Sequence, residues 1–160
     1  MIRPVRPEDA DGIATIYNEY VKHTTVSFET APVTPDEMRR RIEFYAAHFP
    51  YLVDEEAGVI RGYCYAHAWK AREAYRFTWE TTVYLSKQYC RMGIGKKLMQ
   101  ELIKHCKSAG CHALVACITG NNTASCEFHR SLGFTPCSRF PEVGHKFGKW
   151  LDVVDYLLLL

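Results

Sequence analysis

Gln88-Tyr89-Cys90-Arg91-Met92-Gly93-Ile94-Gly95-Lys96-Lys97-Leu98, QYCRMGIGKKL, stands between two unlike patterns. Before it, Arg76 to Leu85 (RFTWETTVYL) is rich in aromatic and β-branched residues and reads as a strand. After it, Ile94, Leu98, Leu102, Ile103 and Cys106 recur at helical spacing, and the pattern ends near Ala109-Gly110. A glycine-bearing turn from strand into helix lets backbone N–H groups approach an anion, and the helix start adds partial positive charge. Arg91, Lys96 and Lys97 add formal charge. The stretch therefore predicts a phosphate or pyrophosphate site. It is not a dinucleotide fingerprint, because Leu98 stands where a third glycine belongs, and the chain has no Walker run. A tight turn without a ligand has the same signature, so the loop alone leaves both readings open.

The flanking sequence alternates helices and strands. Glu8 to Val21 places Ile13, Ile16, Tyr17, Tyr20 and Val21 on one helical face. Thr34-Pro35-Asp36-Glu37 is a helix start, with Thr as N-cap, Pro at the first position and Glu completing a capping box, and the helix is expected to reach Ala47. Tyr51–Asp54 and Val59–Ala68 read as strands joined by a turn at Glu55-Glu56-Ala57-Gly58. Ala113–Ile118 is a short apolar strand, Thr123–Leu132 a helix stopped by Gly133, and Thr135–Phe140 and Lys149–Leu158 are two final strands. The order predicts one mixed α/β domain, residues 1–160, around a central sheet.

A net charge of +2 is too small to argue for nucleic acid or an anionic membrane. No apolar leader opens the chain, and the apolar end Tyr156–Leu160 is too short to span a bilayer. Seven cysteines without a CxxC pair predict no zinc site and reduced thiols in a cytoplasm, most of them packed as small hydrophobes.

The loop has company. Arg/Gln-x-x-Gly-x-Gly/Ala after a strand resembles the acetyl-CoA pyrophosphate loop of the GNAT N-acetyltransferases. Asn121-Asn122-Thr123-Ala124-Ser125 and Ser131-Leu132-Gly133-Phe134 resemble that superfamily's next motif. The first position of the loop motif departs, falling on Cys90, which removes one side-chain contact but leaves the backbone cradle. Trp69 to Tyr75, Trp79 to Ser86 and Val143 to Val153 are similar to the phosphinothricin and methionine sulfoximine acetyltransferase group, so the likeness covers nearly the whole chain. It implies a mixed, mostly antiparallel sheet of about six to seven strands with about four helices. It also implies acetyl-CoA as co-substrate, no metal, a small-molecule amine acceptor, herbicide or antibiotic resistance chemistry and a homodimer.

Acetyl transfer to an amine needs a base, an oxyanion donor, a proton for the leaving thiolate and alignment of two substrates. The resemblance implies Glu80 as base; among Phe77, Trp79, Val83 and Tyr84 its pKa is expected to be raised by desolvation. Leu85 is implied as oxyanion donor through its N–H, with Val83, Tyr84 and Leu85 lining the pantetheine arm. His129 is the candidate acid toward the CoA thiolate, an imidazole near ~6.5 facing a thiol near ~8.5. The loop residues Arg91, Met92, Gly93, Ile94, Gly95 and Lys96, with Asn122, Ser125 and Ser131, are the cofactor candidates. Capping would by itself account for Asn122 and Ser125. On the acceptor side, fixed positive charge and donors are expected from Arg72, Tyr75 and Lys146, with Phe28 and Phe147 as walls. Glu29, beside Phe28, and Glu73 and Ala74, between Arg72 and Tyr75, are further substrate-binding candidates. A protein N-terminus, lysine, polyamine or aminoglycoside acceptor, and a non-catalytic acyl-CoA-binding sensor, are the competing readings. An oxidoreductase is disfavoured by the missing glycine.

Overall fold

The computed structural model describes residues 1–160. In chain order the elements are β1 (Ile2–Pro4), α1 (Ala10–His23), α2 (Pro35–Ala46), β2 (Tyr51–Glu56), β3 (Val59–Ala68), β4 (Thr78–Leu85), α3 (Ile94–Ser108), β5 (Ala113–Thr119), α4 (Thr123–Ser131), β6 (Thr135–Lys146) and β7 (Lys149–Leu159). They build one seven-stranded sheet in the order β1-β2-β3-β4-β5-β7-β6. Every neighbouring pair is antiparallel except β4 with β5. The expected sheet type, strand number and four helices are borne out.

Strand alternation sorts the core onto two faces. Leu52, Cys64, Ala66, Leu114 and Ala116 pack with Leu98, Met99 and Leu102 of α3. Tyr51, Val53 and Tyr63 pack with Ile13 and Ile16 of α1 and Met38 and Ile42 of α2. Helix α2 starts as predicted, Thr34 accepting from the Glu37 N–H, but the Glu37 carboxylate turns to Arg40 and Arg41 instead of closing a capping box. Two strand readings change. β1 is missing from the sequence reading because three residues, one of them proline, carry no strand signal; pairing with β2 makes them a strand. β6 continues past Phe140 because three residues bulge out between the pairs Phe140–Val153 and Gly144–Leu151, after which pairing resumes.

The feature that positions the site is the short parallel ladder. β4 meets β5 only at Thr78–Ala113, Trp79–Leu114 and Glu80–Val115. Beyond Glu80 the two strands part, and β4 stays paired to β3 alone up to Leu85–Gly62.

Candidate active site

The split opens a cleft of about 530 Å³, with Glu80, Thr82 and Tyr84 on one wall and Cys117, Thr119 and His129 on another. The ladder with β3 fixes which peptide groups face it. Trp69 N–H donates to the Thr78 carbonyl and Ser86 N–H to the Arg61 carbonyl, so even-numbered residues of β4 turn their peptide groups to β3. The N–H groups of Val83 and Leu85 therefore point into the split, while that of Thr81 still belongs to the last pair of the ladder with β5. The Thr81 hydroxyl bridges to the Val115 carbonyl where the strands begin to part, and the Tyr20 hydroxyl from α1 donates to the Leu85 carbonyl at 2.6 Å.

Glu80 stands where the ladder ends. It is three-quarters covered, and burial raises its pKa as expected. Two groups work against that rise: the His67 Nε2, 3.9 Å away on β3, and the Cys117 thiol. Cys117 also donates to Asp155 Oδ1 at 3.0 Å. Burial and the two carboxylates push this thiol well up, so it stays protonated.

His129 is buried on α4, its Nδ1 2.8 Å from the Ser125 carbonyl. A carbonyl accepts only, so Nδ1 carries the proton and Nε2 is left as an acceptor. Burial lowers its pKa, so the ring is neutral near pH 7. Asn122 caps α4 by accepting from the Ser125 N–H, and both residues also line the cleft.

At the other end of β4 lies the glycine loop. Rising ~3.4 Å per residue, the strand carries the chain roughly 17 Å from Glu80 to Leu85. Arg91 and Gly93 take left-handed φ of 64° and 79°. α3 then starts with neither a side-chain cap nor an acidic residue in its first turn, unlike α2. Its opening N–H groups, at Ile94, Gly95 and Lys96, have no intrahelical acceptor. A Cβ on Gly95 would come within 3.2 Å of Leu85 Cδ1 and 3.6 Å of Phe128 Cζ, so glycine keeps this approach open. An uncapped, acid-free helix start with a bare surface fits a pyrophosphate.

The acetyltransferase (GNAT) domain model matches residues 2–154. The chain belongs to the GNAT acetyltransferase family. It is 39% identical to the phosphinothricin N-acetyltransferase of Streptomyces viridochromogenes over 152 residues, covering 95% of this chain and 83% of that enzyme. It is 38% identical to the L-methionine sulfoximine/L-methionine sulfone acetyltransferase of Salmonella typhimurium, covering 99% and 94%. The structure of a GNAT phosphinothricin acetyltransferase from Sinorhizobium meliloti in complex with acetyl-CoA superposes with a TM-score of 0.96, at 34% identity and with 100% and 88% of the two chains covered.

Within this GNAT fold the cleft gathers Phe28, Glu29, Glu80, Val83, Tyr84, Asn122, Ser125 and His129 from the sequence-derived candidates. Ile94 turns into the core, leaving only its peptide group for a ligand, and Met92 is exposed. Ser131 closes the last turn of α4 on the Phe128 carbonyl and does not line the cleft. Arg72, Glu73, Ala74 and Tyr75 sit in the loop joining β3 to β4, outside the cleft lining, with Arg72 exposed. Lys146 differs from the expected free cation: it is buried, its Nζ donating to the Ser27 carbonyl. Phe147 is exposed in the turn after β6, outside the cleft lining. Cys90 and Cys137 are exposed rather than packed, and Cys117 is accessible through the cleft although its thiol is tucked between Glu80 and Asp155, unlike the four buried cysteines. Sequence reading missed Tyr17, Ser27, Tyr65, His67, Cys117 and Thr119. Tyr65 and His67 had a signal, since two-residue alternation sets them opposite Thr82 and Glu80.

Proposed function

We propose that this chain transfers the acetyl group of acetyl-CoA directly to the α-amine of a small amino acid of the phosphinothricin, methionine sulfoximine or methionine sulfone type. The observation carrying this is the split between β4 and β5, with a desolvated carboxylate at one end and an uncapped, glycine-bearing helix start at the other.

Arg91, Lys96 and the amides of Gly93 to Lys96 hold the pyrophosphate. The Val83 and Leu85 N–H groups and Asn122 align the pantetheine arm. Glu80 takes the proton that frees the nitrogen lone pair. The C–N bond forms as the C–S bond breaks, while a free N–H of β4 faces the oxygen that gains charge. The Val83 N–H is the nearer one to Glu80, and Leu85, roughly 17 Å along the strand, suits the pantetheine arm better than the oxyanion role expected of it. The second nitrogen proton passes to the departing sulfur. His129 suits this step as a relay: its open Nε2 accepts, and the charged ring then donates. Cys117 is close enough to Glu80 to suggest an acyl carrier, but a thiol held protonated is a poor nucleophile, which favours direct transfer.

The β3–β4 loop leaves the sheet beside His67 and Glu80, which supports a role for the exposed Arg72 in meeting the carboxylate of an incoming acceptor. The test is release of free CoA thiol with phosphinothricin, methionine sulfoximine, methionine sulfone, a polyamine and a lysine peptide. Fast release with the first three alone is expected. Activity only with the last two discards the amino-acid reading, and tight acetyl-CoA binding without release from any favours a sensor. On the same panel, Arg72→Ala should raise KM for the anionic amino acids and not for the polyamine.

The chain is further proposed to be a homodimer. Phe140 is nearly half exposed and Val143, Phe147 and Trp150 more than half at the β6–β7 end of the sheet, which invites cover. Light scattering should give twice 18.4 kDa; a monomer at micromolar concentration rejects this. Seven free cysteines suit a reducing cytoplasm, and no helix is long and apolar enough to cross a membrane.

A further inference from the structure

The roof of the acceptor end is the connection between α1 and α2, where Val26, Ser27, Phe28 and Glu29 face the cleft. This segment forms no helix or strand, so its position rests on outside contacts. Four outside contacts hold it, one of them the 2.5 Å pairing of Arg41 of α2 with the Glu29 carboxylate. The Thr119 hydroxyl of β5 donates to the Thr25 carbonyl at 2.7 Å, Tyr17 of α1 meets the Ser27 hydroxyl at 2.8 Å, and Lys146 of β6 donates to the Ser27 carbonyl at 2.6 Å. Asn18 pins the far end through both the N–H and the carbonyl of Val33.

Lys146 is the unusual member. Only 3% of it is exposed, and the Ser27 carbonyl is its one hydrogen-bond acceptor, with the Phe147 ring 5.1 Å away. A buried ammonium with no carboxylate in direct contact is costly, Glu29 of the roof favouring it only from a distance, and a well-packed apolar side chain generally serves stability better. What the lysine adds is reach and direction toward one peptide group of the roof. The backbone beside it is shaped for the same contact. β6 arrives there only because of its bulge between Phe140 and Gly144. A Cβ on Gly144 would come within 2.4 Å of Phe28 Cε2, so the strand lies flat against the roof.

We propose that Lys146 is a positioning residue, which sets the height of Ser27–Glu29 above Glu80 through the Ser27 carbonyl without touching the acceptor. The inference rests on the reading of this cleft as the acceptor site. The test uses Lys146→Met, which keeps length and removes the donor, and Lys146→Gln, which keeps a neutral donor. Kinetics are measured with the best acceptor of the panel and with a similar primary amine lacking a carboxylate. The expected result for Lys146→Met is a rise of roughly tenfold in KM for both acceptors, the size of one lost charge-assisted hydrogen bond. The KM for acetyl-CoA stays unchanged, and Lys146→Gln recovers part of the loss. Gly144→Val, which pushes Phe28 without altering the lysine, should repeat the pattern and serves if Lys146→Met does not fold. An effect confined to the carboxylate-bearing acceptor overturns the proposal in favour of direct contact. An equal rise in KM for acetyl-CoA, or no change in either KM, overturns it in favour of a plain structural strut. A wild type that prefers a polyamine instead would discard the amino-acid reading while leaving this comparison intact.

Discussion

Glu80→Gln is expected to lower kcat by about 10²- to 10⁴-fold, the usual worth of a positioned general base, and to leave acetyl-CoA affinity unchanged. The separation of effects follows from the fold. Glu80 sits at the last pair of the β4–β5 ladder, while the glycine loop lies beyond Leu85 at the other end of the split. Gln keeps the shape of Glu, so the wall formed with His67 and Cys117 is preserved. The pH dependence is expected to carry the same signature. Burial raises the Glu80 pKa, so the basic form fills only above the ordinary carboxylate range. Wild-type kcat/KM should therefore fall as pH drops through that raised value, and the variant should lose this acid limb. Stability should move the other way. A carboxylate with a raised folded pKa weakens the fold progressively as pH rises from its ordinary unfolded value, and fully above the raised one, because the unfolded chain ionises more easily. Glu80→Gln removes that burden and should unfold at neutral pH no sooner than the wild type. A Glu80→Gln enzyme with wild-type turnover takes Glu80 out of the chemistry.

How much of this was legible depends on the kind of residue. The helices and the strand before the loop were readable because Ile13, Ile16, Leu98 and Leu102 repeat with a helical period and 76–85 is dense in strand formers. The bulge in β6 was not, because Pro141 to Val143 look like the end of a strand, and only the resumed pairing of Gly144 with Leu151 shows otherwise. In the site, Glu80 and the glycine loop lie on one continuous segment, so local sequence orders them correctly. Lys146 shows the limit. A lysine in a polar run reads as surface charge, and its burial arises from Ser27, 119 residues earlier in the chain. Cys117 was passed over for a similar reason, since its nearness to Glu80 exists only after β5 has joined β4.

Gly95→Val is expected to raise the Kd for acetyl-CoA at least about 100-fold. The position begins α3, and a first side-chain carbon there already meets Leu85 Cδ1 at 3.2 Å and Phe128 at 3.6 Å. Valine adds two more carbons that must push those side chains or enter the space above the free amides. Holding an anion off two such N–H groups forfeits roughly 1.5–3 kcal/mol for each charge-assisted bond, which is a factor of about 10² or more in affinity. Gly93→Val tests a different property of the loop. Nothing lies within 4 Å of its Cβ position, but φ is +79°, so the cost there is backbone strain in place of blockage. Lys96→Ala sets the scale for charge alone, because an exposed side chain contributes about 1 kcal/mol or less. Titration of acetyl-CoA by calorimetry separates the three. The order expected is Gly95→Val most harmful, Gly93→Val next and Lys96→Ala least. If Gly95→Val binds acetyl-CoA as the wild type does, the pyrophosphate does not sit on this helix start. The roles drawn for Leu85, Val83 and Asn122 would then have to be placed anew.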